Sequence, residues 1–176
     1  MTWFLGIPIR IRIYDDYLKE ACRLCLNVRI IPPEERHLTL VYFGEVRPPI
    51  EVLKKIINEI NMKPFILYFR GITLFPNTIR PRYIVTVPYY QERLFRLREE
   101  ILTRLSDLYK IKDKYTEFRP HVSLAIIRYR IPLDIIDKML KVCKRSEKVQ
   151  DRILVTSIVL YEAKGGKVEI VNELWA

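Results

Sequence analysis

The sequence predicts a mixed fold of β-strands and α-helices in a single domain, residues 1–176, built from two similar lobes. Segments rich in β-forming residues alternate with segments in which apolar residues recur every three or four positions, as in helices. No Gly/Ser-rich linker or low-complexity stretch divides the chain, and its length suits one domain. A His–apolar–hydroxyl–Leu pattern occurs twice, at His37 and at His121, and this repeat indicates the two lobes.

The first strand and the first helix are predicted within residues 1–28. Residues 3–11 are rich in isoleucine, leucine and aromatic side chains, which favour a strand. Asp15 or Asp16 is expected to cap a helix that continues to about residue 28. Leu26 belongs to the apolar face predicted for this helix.

A second strand and a second helix are predicted before residue 61. Residues 37–43 (HLTLVYF) are rich in β-formers, and Gly44 ends this strand. Pro49 fits the beginning of a helix, since isoleucine and leucine recur at helical spacing over residues 50–60.

The middle of the chain is predicted to form two strands and the longest helix. The strands cover residues 65–75 and 82–88, and the turn-rich segment 76–81 (PNTIRP) joins them. Residues 90–109 carry leucine and isoleucine at helical intervals between charged side chains, which predicts a helix with one buried face.

The last third of the chain again contains strands and a helix. Residues 121–127 (HVSLAII) have the same strand character as residues 37–43. A short helix is predicted over residues 133–143. Two closing strands cover residues 152–162 and 167–174, and Gly165-Gly166 separates them.

The net charge of +10, from 31 Lys and Arg against 21 Asp and Glu, favours polyanionic partners. Charge alone does not separate RNA from DNA or from anionic lipid, and a basic surface without such a partner is the simpler alternative. The apolar runs are too short to span a membrane, and the first residues are too charged for a secretory signal. We expect a cytoplasmic monomer that does not bind membranes.

The three cysteines do not predict a disulfide framework, because their number is odd. Cys22 and Cys25 have CxxC spacing but lie in a helical pattern, and no second pair of zinc ligands is near them. We expect buried structural thiols, with a redox or inter-helix disulfide as the alternative.

The chain contains two histidines, and each begins one copy of the repeated pattern. Alternate residues of a strand share a face, so His37 and Thr39 should point the same way, as should His121 and Ser123. If the two strands lie opposite one another, they enclose a site with two imidazoles and two hydroxyls.

Such a site suits cleavage of a phosphate ester without a metal or any other cofactor. One imidazole can accept the proton of an attacking water or hydroxyl while the other gives a proton to the leaving oxygen. The hydroxyls of Thr39 and Ser123 can donate hydrogen bonds to the phosphate oxygens. A core role is the usual alternative for a lone histidine, but the matched hydroxyl offset argues against it. Neither strand contains an Asp or Glu to complete a zinc site.

The two motifs resemble those of the two-histidine phosphoesterase superfamily. The first is His37-Leu38-Thr39-Leu40 with Gly44-Glu45, and the second is Phe118 with Pro120-His121-Val122-Ser123-Leu124. Within the superfamily, the chain is most similar to the RNA 2',3'-cyclic phosphodiesterases, also labelled 2'-5' RNA ligases. The similarity includes further segments: Pro64-Phe65, Gly71, Phe75-Pro76, Pro81-Arg82, Leu160-Tyr161 and Gly166.

The resemblance implies a bilobal α+β fold in which two antiparallel sheets flank a central groove and the helices lie outside. It also implies hydrolysis of a 2',3'-cyclic phosphate at an RNA 3' end to a 2'-phosphate. His37 would protonate the departing 3'-oxygen, His121 would activate water, and Thr39 and Ser123 would hold the phosphate. tRNA fragments and small cyclic nucleotides are further candidate substrates.

The chain departs from the family pattern at two positions. Family members commonly carry Arg where this chain has Ile126, and often Tyr where it has Val168. Arg119, Arg128 and Arg130 are candidates to supply the missing cation, but strand alternation would place Arg128 on the face opposite His121.

Other side chains are candidates for RNA contacts around the groove. Arg80, Arg82 and Arg119 are predicted to bind the RNA backbone, with solvated arginines on a basic surface as the alternative. Aromatic residues that could stack on a base, or pack in the core instead, are Tyr42, Phe43 and Tyr83.

Two other functions remain open from the sequence. A ligase would join a 2',3'-cyclic phosphate to a 5'-hydroxyl by the same chemistry, with that hydroxyl in the place of water. A non-catalytic module would use the groove to bind RNA without turnover, and the intact pair of histidines argues against this alternative.

Overall fold

The computed structural model describes residues 1–109, 113 and 117–175, with side chains described for all of these except residues 108 and 109. Ten strands lie in this part of the chain: β1 (Thr2–Pro8), β2 (Val28–Ile30), β3 (His37–Gly44), β4 (Phe65–Arg70), β5 (Thr73–Phe75), β6 (Tyr83–Thr86), β7 (Val122–Ile127), β8 (Gln150–Val155), β9 (Ile158–Lys164) and β10 (Lys167–Trp175). The helices are α1 (Asp15–Leu24), α2 (Ile50–Ile60), α3 (Glu92–Tyr109) and α4 (Leu133–Ser146), and Pro33–Glu35 form a 3₁₀ turn.

The strands form two antiparallel sheets, which confirms the predicted α+β class. In the described residues, the larger sheet has eight strands in the order β10-β9-β1-β3-β7-β6-β5, with β2 also paired to β7. The smaller sheet consists of β4 and β8. Both histidine strands therefore lie in the larger sheet, where β3 and β7 meet at the pair Leu38–Val122.

The helices pack in two pairs at different parts of the larger sheet. Helix α2 packs on α3 and contacts β10, whereas α1 packs on α4 and contacts β2. Buried apolar residues from both regions belong to one continuous core. The division into two pseudo-symmetric lobes stays a prediction. Across the described residues, no helix has the length and apolar content needed to cross a membrane.

Two segments predicted as single strands are each divided between the two sheets. The segment 65–75 breaks after Arg70, where Gly71 adopts a φ of +68°, and its halves become β4 and β5. The segment 152–162 divides in the same way into β8 and β9. Continuous runs of β-formers do not reveal such breaks, because each half is a good strand by itself.

The first helix is shorter than predicted, and its predicted cap is wrong. Tyr14 occupies the N-cap position without a side-chain hydrogen bond to the helix, and Asp15 instead accepts a hydrogen bond from Arg36 at 2.8 Å. The helix ends at Leu24, so Leu26 is 99% exposed rather than packed. The chain then forms β2, which the helical pattern concealed.

The three thiols are free. Cys143 is buried, and burial raises the pKa of its thiol to about 11. Cys22 and Cys25 are half-buried, so the predicted burial is only partial for these two.

Gly71 provides a test of the chain reversal between the two sheets. A Cβ at this position would lie 3.1 Å from the backbone N and Cα atoms of Glu147. Because backbone atoms cannot move aside easily and φ is positive, Gly71→Ala should lower the free energy of unfolding by about 1–3 kcal/mol. Gly165 also has a positive φ but open space around it, so Gly165→Ala is the matched control. Urea denaturation should show a smaller loss for the control, and equal losses would contradict the steric argument.

Candidate active site

The four residues predicted to carry the chemistry lie around one cavity of about 780 Å³. His37 and Thr39 are half-buried on β3, while the intervening Leu38 is fully buried in the core. His121 and Ser123 are likewise half-buried around the fully buried Val122. The alternation predicted from the sequence therefore positions both imidazoles and both hydroxyls towards the same cavity.

The register of the two strands explains why the four side chains meet. The antiparallel pair Leu38–Val122 joins β3 to β7. In an antiparallel register, the positions on either side of such a pair also face each other. His37 is thereby set beside Ser123 and Thr39 beside His121, so that each imidazole neighbours the hydroxyl of the other strand.

Each histidine strand contains a β-bulge directly after its hydroxyl residue. Along β3, Thr39 and Val41 pair with successive residues of β1, and along β7, Ser123 and Ala125 pair with successive residues of β6. One extra residue in each strand shifts the alternation of side chains. As a result, Tyr42 and Ile126, each five residues after its histidine, line the cavity.

Both imidazoles make the same hydrogen bond. The Nδ1 of His37 lies 2.7 Å from the carbonyl oxygen of Glu35, and the Nδ1 of His121 lies 2.7 Å from that of Arg119. A carbonyl can only accept, so Nδ1 carries the proton in both rings. Each neutral imidazole is therefore held with its Nε2 unprotonated and available to act as a base.

Burial lowers the pKa of both histidines. The pKa of His37 falls to about 4, mainly because burial disfavours the charged form, and His121 contributes electrostatic repulsion. Burial also lowers the pKa of His121, and the guanidinium of Arg119 adds to this effect. In each case the hydrogen bond to the backbone carbonyl opposes the shift. Both imidazoles are thus predominantly neutral at pH 7 in the free protein.

Aromatic rings fix the planes of the two imidazoles. The ring centroid of His37 lies 4.6 Å from that of Phe4 and 5.0 Å from that of Tyr161. His121 stacks on Phe75 at 4.1 Å. The guanidinium of Arg119 covers Phe75 at 4.6 Å from its centroid. These contacts restrict ring rotation, which keeps each Nε2 in position.

Arg36, directly before His37, belongs to the scaffold. Its side chain is 1% exposed and donates hydrogen bonds to the carbonyls of Ile31, at 2.9 Å, and of Ile11. It also forms a 2.8 Å ion pair with Asp15. These bonds anchor the segment that leads into β3 to the start of α1.

The arginines predicted to bind RNA differ in position. Arg119 lines the cavity and donates a hydrogen bond to the carbonyl of Pro76 at 3.2 Å. Arg80 and Arg82 lie outside the cavity lining, so the structure does not bring them to the histidines. Arg128 and Arg130 are exposed and also lie outside it. Because of the β7 bulge, strand alternation no longer predicts that Arg128 faces away from His121. Arg128 nevertheless lies outside the cavity lining.

The candidate base-stacking residues also differ in position. Tyr42 and Tyr83 line the cavity, whereas Phe43 is buried in the core and cannot stack on a ligand. Val168, one of the two departures from the family pattern, lines the cavity and, like Tyr42, packs against the apolar cluster that contains Phe4 and Tyr161.

Several residues around the cavity were missed by the sequence argument. Arg29 on β2 lines it, and so do Lys164 and Lys167 on either side of the β9–β10 turn. Arg29 was not recognised because the helix was predicted to continue to about residue 28, where β2 begins. The lysines flank the predicted Gly165-Gly166 turn, and that turn was the signal that could have identified them. Among the described residues, no group of three or more His, Cys, Asp or Glu side chains is arranged to hold a metal ion.

This arrangement can bind a phosphate and move two protons. The Nε2 atoms of His37 and His121 are bases in the neutral state and acids after protonation. The hydroxyls of Thr39 and Ser123 are hydrogen-bond donors within the same cavity. A phosphodiester placed between them would meet a proton acceptor, a proton donor and two donors for its non-bridging oxygens.

Comparison with known proteins gives the context for this geometry. Residues 29–167 match the family model described as the 2'-5' RNA ligase superfamily. The chain is 26% identical over 169 residues to an RNA 2',3'-cyclic phosphodiesterase of Archaeoglobus fulgidus, covering 90% of this chain and 92% of that protein. It is 31% identical over 116 residues to an RNA 2',3'-cyclic phosphodiesterase of Aeropyrum pernix, covering 65% of each.

Solved structures share the fold. A protein of Thermus thermophilus superposes with a TM-score of 0.69 at 20% identity, covering 98% of this chain and 96% of its own. Escherichia coli LigT complexed with 3'-AMP superposes with a TM-score of 0.67 at 17% identity, covering 98% and 95%. At these identities the similarity establishes the fold.

The lowered pKa values predict how the two imidazoles titrate. NMR of the free protein should show His37 titrating near pH 4 and His121 below 6.5, because burial disfavours both charged forms. The chain has only two histidines, so His37→Gln and His121→Gln variants assign the signals. In the His121→Gln variant, the pKa of His37 should rise, since one source of repulsion is removed. Two independent titrations at 6.5 would show that the rings are solvated and far apart.

Proposed function

The chain belongs to the 2'-5' RNA ligase superfamily, and from that membership we propose that it hydrolyses 2',3'-cyclic phosphate ends of RNA to 2'-phosphates. Phosphoesterase activity agrees with the names of its relatives and with the fold. The observation that carries the finer proposal is the cavity in which two imidazoles and two hydroxyls lie on adjacent strands.

His121 acts as the general base in the proposed reaction, and His37 as the general acid. The Nε2 of His121 removes a proton from water, whose oxygen attacks the phosphorus atom. The bond from phosphorus to the 3'-oxygen breaks, and His37 transfers the proton on its Nε2 to that oxygen. The products are a 3'-hydroxyl and a 2'-phosphate, and proton exchange with solvent resets the pair.

The negative charge of the bound substrate stabilises the protonated form of His37, and the proton itself comes from solvent. Burial keeps this imidazole neutral at pH 7 in the free protein, since its pKa is lowered to about 4. A cyclic phosphate is an anion, and an anion beside the ring favours the imidazolium form. Binding would therefore raise the pKa of His37, and the proton needed by the leaving group would be taken up from solvent as the substrate binds.

Thr39 and Ser123 are proposed to hold the phosphate, with their hydroxyls donating to its non-bridging oxygens. The cavity volume of about 780 Å³ is in the range that accommodates a small ligand. A terminal nucleotide fits this requirement, and so does a free cyclic nucleotide. Hydrolysis should therefore be compared for two substrate sizes: RNA ends, including those of tRNA fragments, and small cyclic nucleotides.

The rest of an RNA substrate would follow the basic surface outside the cavity. Arg119 lies beside the reacting groups, and Arg80 and Arg82 stay predicted contacts further along the backbone. Phosphate neutralisation by such residues weakens as salt increases. We propose that the chain acts as a monomeric, single-domain enzyme without a metal cofactor.

The central prediction is metal-independent turnover that requires both histidines. The substrate is an end-labelled RNA with a 2',3'-cyclic phosphate, incubated in EDTA, with the product's phosphate position identified. His37→Ala and His121→Ala should each reduce kcat by roughly 100- to 10,000-fold, the usual contribution of general acid–base catalysis. Tyr129→Ala is the control, because Tyr129 is exposed and outside the cavity, and it should retain full activity.

Several outcomes would refute or redirect the proposal. Turnover that appears only with added divalent metal, or that survives in both histidine variants, refutes the mechanism. A second RNA with a 5'-hydroxyl end tests the ligase alternative, since a joined 2'-5' product would mean that this hydroxyl replaces water. Tight, salt-sensitive RNA binding with no product would support the non-catalytic alternative instead.

A further inference from the structure

We propose that Arg29 is a phosphate-binding residue of this cavity, a role that rests on the proposed function. Arg29 lies at the centre of β2, the three-residue strand that pairs with β7. Its side chain lines the same cavity as His121 and Ser123. The guanidinium would bind the non-bridging oxygens of the phosphate from the β2 side.

The register of β2 and β7 determines where this side chain points. Arg29 pairs directly with Ile126 in the antiparallel ladder. Paired residues of adjacent strands project to the same face, and the β7 bulge turns Ile126 to the cavity face. Arg29 therefore projects beside Ile126 into the cavity. The guanidinium of Arg29 thus lies beside the apolar side chain of Ile126.

The state of the Arg29 side chain suggests that its partner is a ligand. Its Nε is buried and has no hydrogen-bond partner among the described residues. A buried N–H without a partner costs free energy, so such groups in folded proteins usually have a function or bind something. Glu35 and Glu117 also line the cavity, but no ion pair to Arg29 exists among the described side chains.

The other cavity arginines already have protein partners. Arg98 donates to the carbonyl of Leu40 and pairs with Asp113 at 3.0 Å. Arg119 donates to the carbonyl of Pro76 and covers the ring of Phe75. A guanidinium has five N–H donors in a fork that matches two phosphate oxygens. Among the cavity arginines, Arg29 has a buried Nε without a hydrogen-bond partner among the described residues, so its guanidinium can bind an anion in this way.

Exchange of the cross-strand pair tests whether the position of the charge matters. Arg29→Ile should lower kcat/KM for the cyclic-phosphate RNA by roughly 10- to 100-fold, as expected for loss of a charge-assisted hydrogen bond. The double variant Arg29→Ile/Ile126→Arg returns the guanidinium to the same face from β7 and should recover most of that loss. Arg152→Ile is the matched control, because Arg152 lies on β8 and outside the cavity, and it should be neutral.

A binding measurement separates this inference from the proposed function. Inorganic phosphate is titrated into the unmodified protein, the Arg29→Ile variant and the double variant, with the imidazole NMR signals as readout. Affinity should fall in the single variant and recover in the double variant. Thermal denaturation checks that all three fold.

Each outcome has one interpretation. Unchanged kcat/KM and unchanged phosphate affinity in Arg29→Ile would overturn the role of Arg29 and leave the hydrolase proposal intact. An inactive unmodified protein whose phosphate affinity still depends on Arg29 would overturn the hydrolase proposal and support the anion site. A loss in a folded single variant that the double variant does not restore would refute the claim that a cation at this position is what matters.

Discussion

The candidate site depends on the antiparallel contact between β3 and β7. One pair, Leu38–Val122, joins the strands, and the residues on either side of it are the imidazoles and hydroxyls. A shift of one residue in this register would turn a whole set of side chains from the cavity to the core. The buried leucines and valine between the polar positions oppose such a shift, since it would expose them. Core packing therefore sets the geometry of the chemical groups.

The same packing determines the ionisation of the histidines. Both rings pack against aromatic side chains, burial lowers their pKa values, and both donate through Nδ1 to a carbonyl two residues earlier. An imidazole that is neutral, oriented and poorly hydrated gains a proton readily only when an anion is near. In the proposed reaction, this environment links proton uptake by His37 to the binding of a phosphate. Buried Arg36, through its bonds to Ile31 and to the start of α1, anchors the segment that leads into His37.

Sequence periodicity was sufficient for the positions of His37, Thr39, His121 and Ser123, because a strand of alternating apolar and polar residues has one apolar face to bury. It was insufficient beyond Thr39 and Ser123, where a bulge in each strand breaks the alternation. Bulges leave little trace in the sequence, so strand alternation could not place Ile126 at the cavity. Arg29 was missed for a related reason, since a three-residue strand is too short to show a period.

The most direct test of the account is a crystal structure of the protein with a nucleoside 2'-phosphate. The account predicts one phosphate between the Nε2 atoms of His37 and His121, within hydrogen-bond distance of both rings and of the hydroxyls of Thr39 and Ser123. A phosphate bound outside the cavity, or held by one ring while the other faces away, would contradict it.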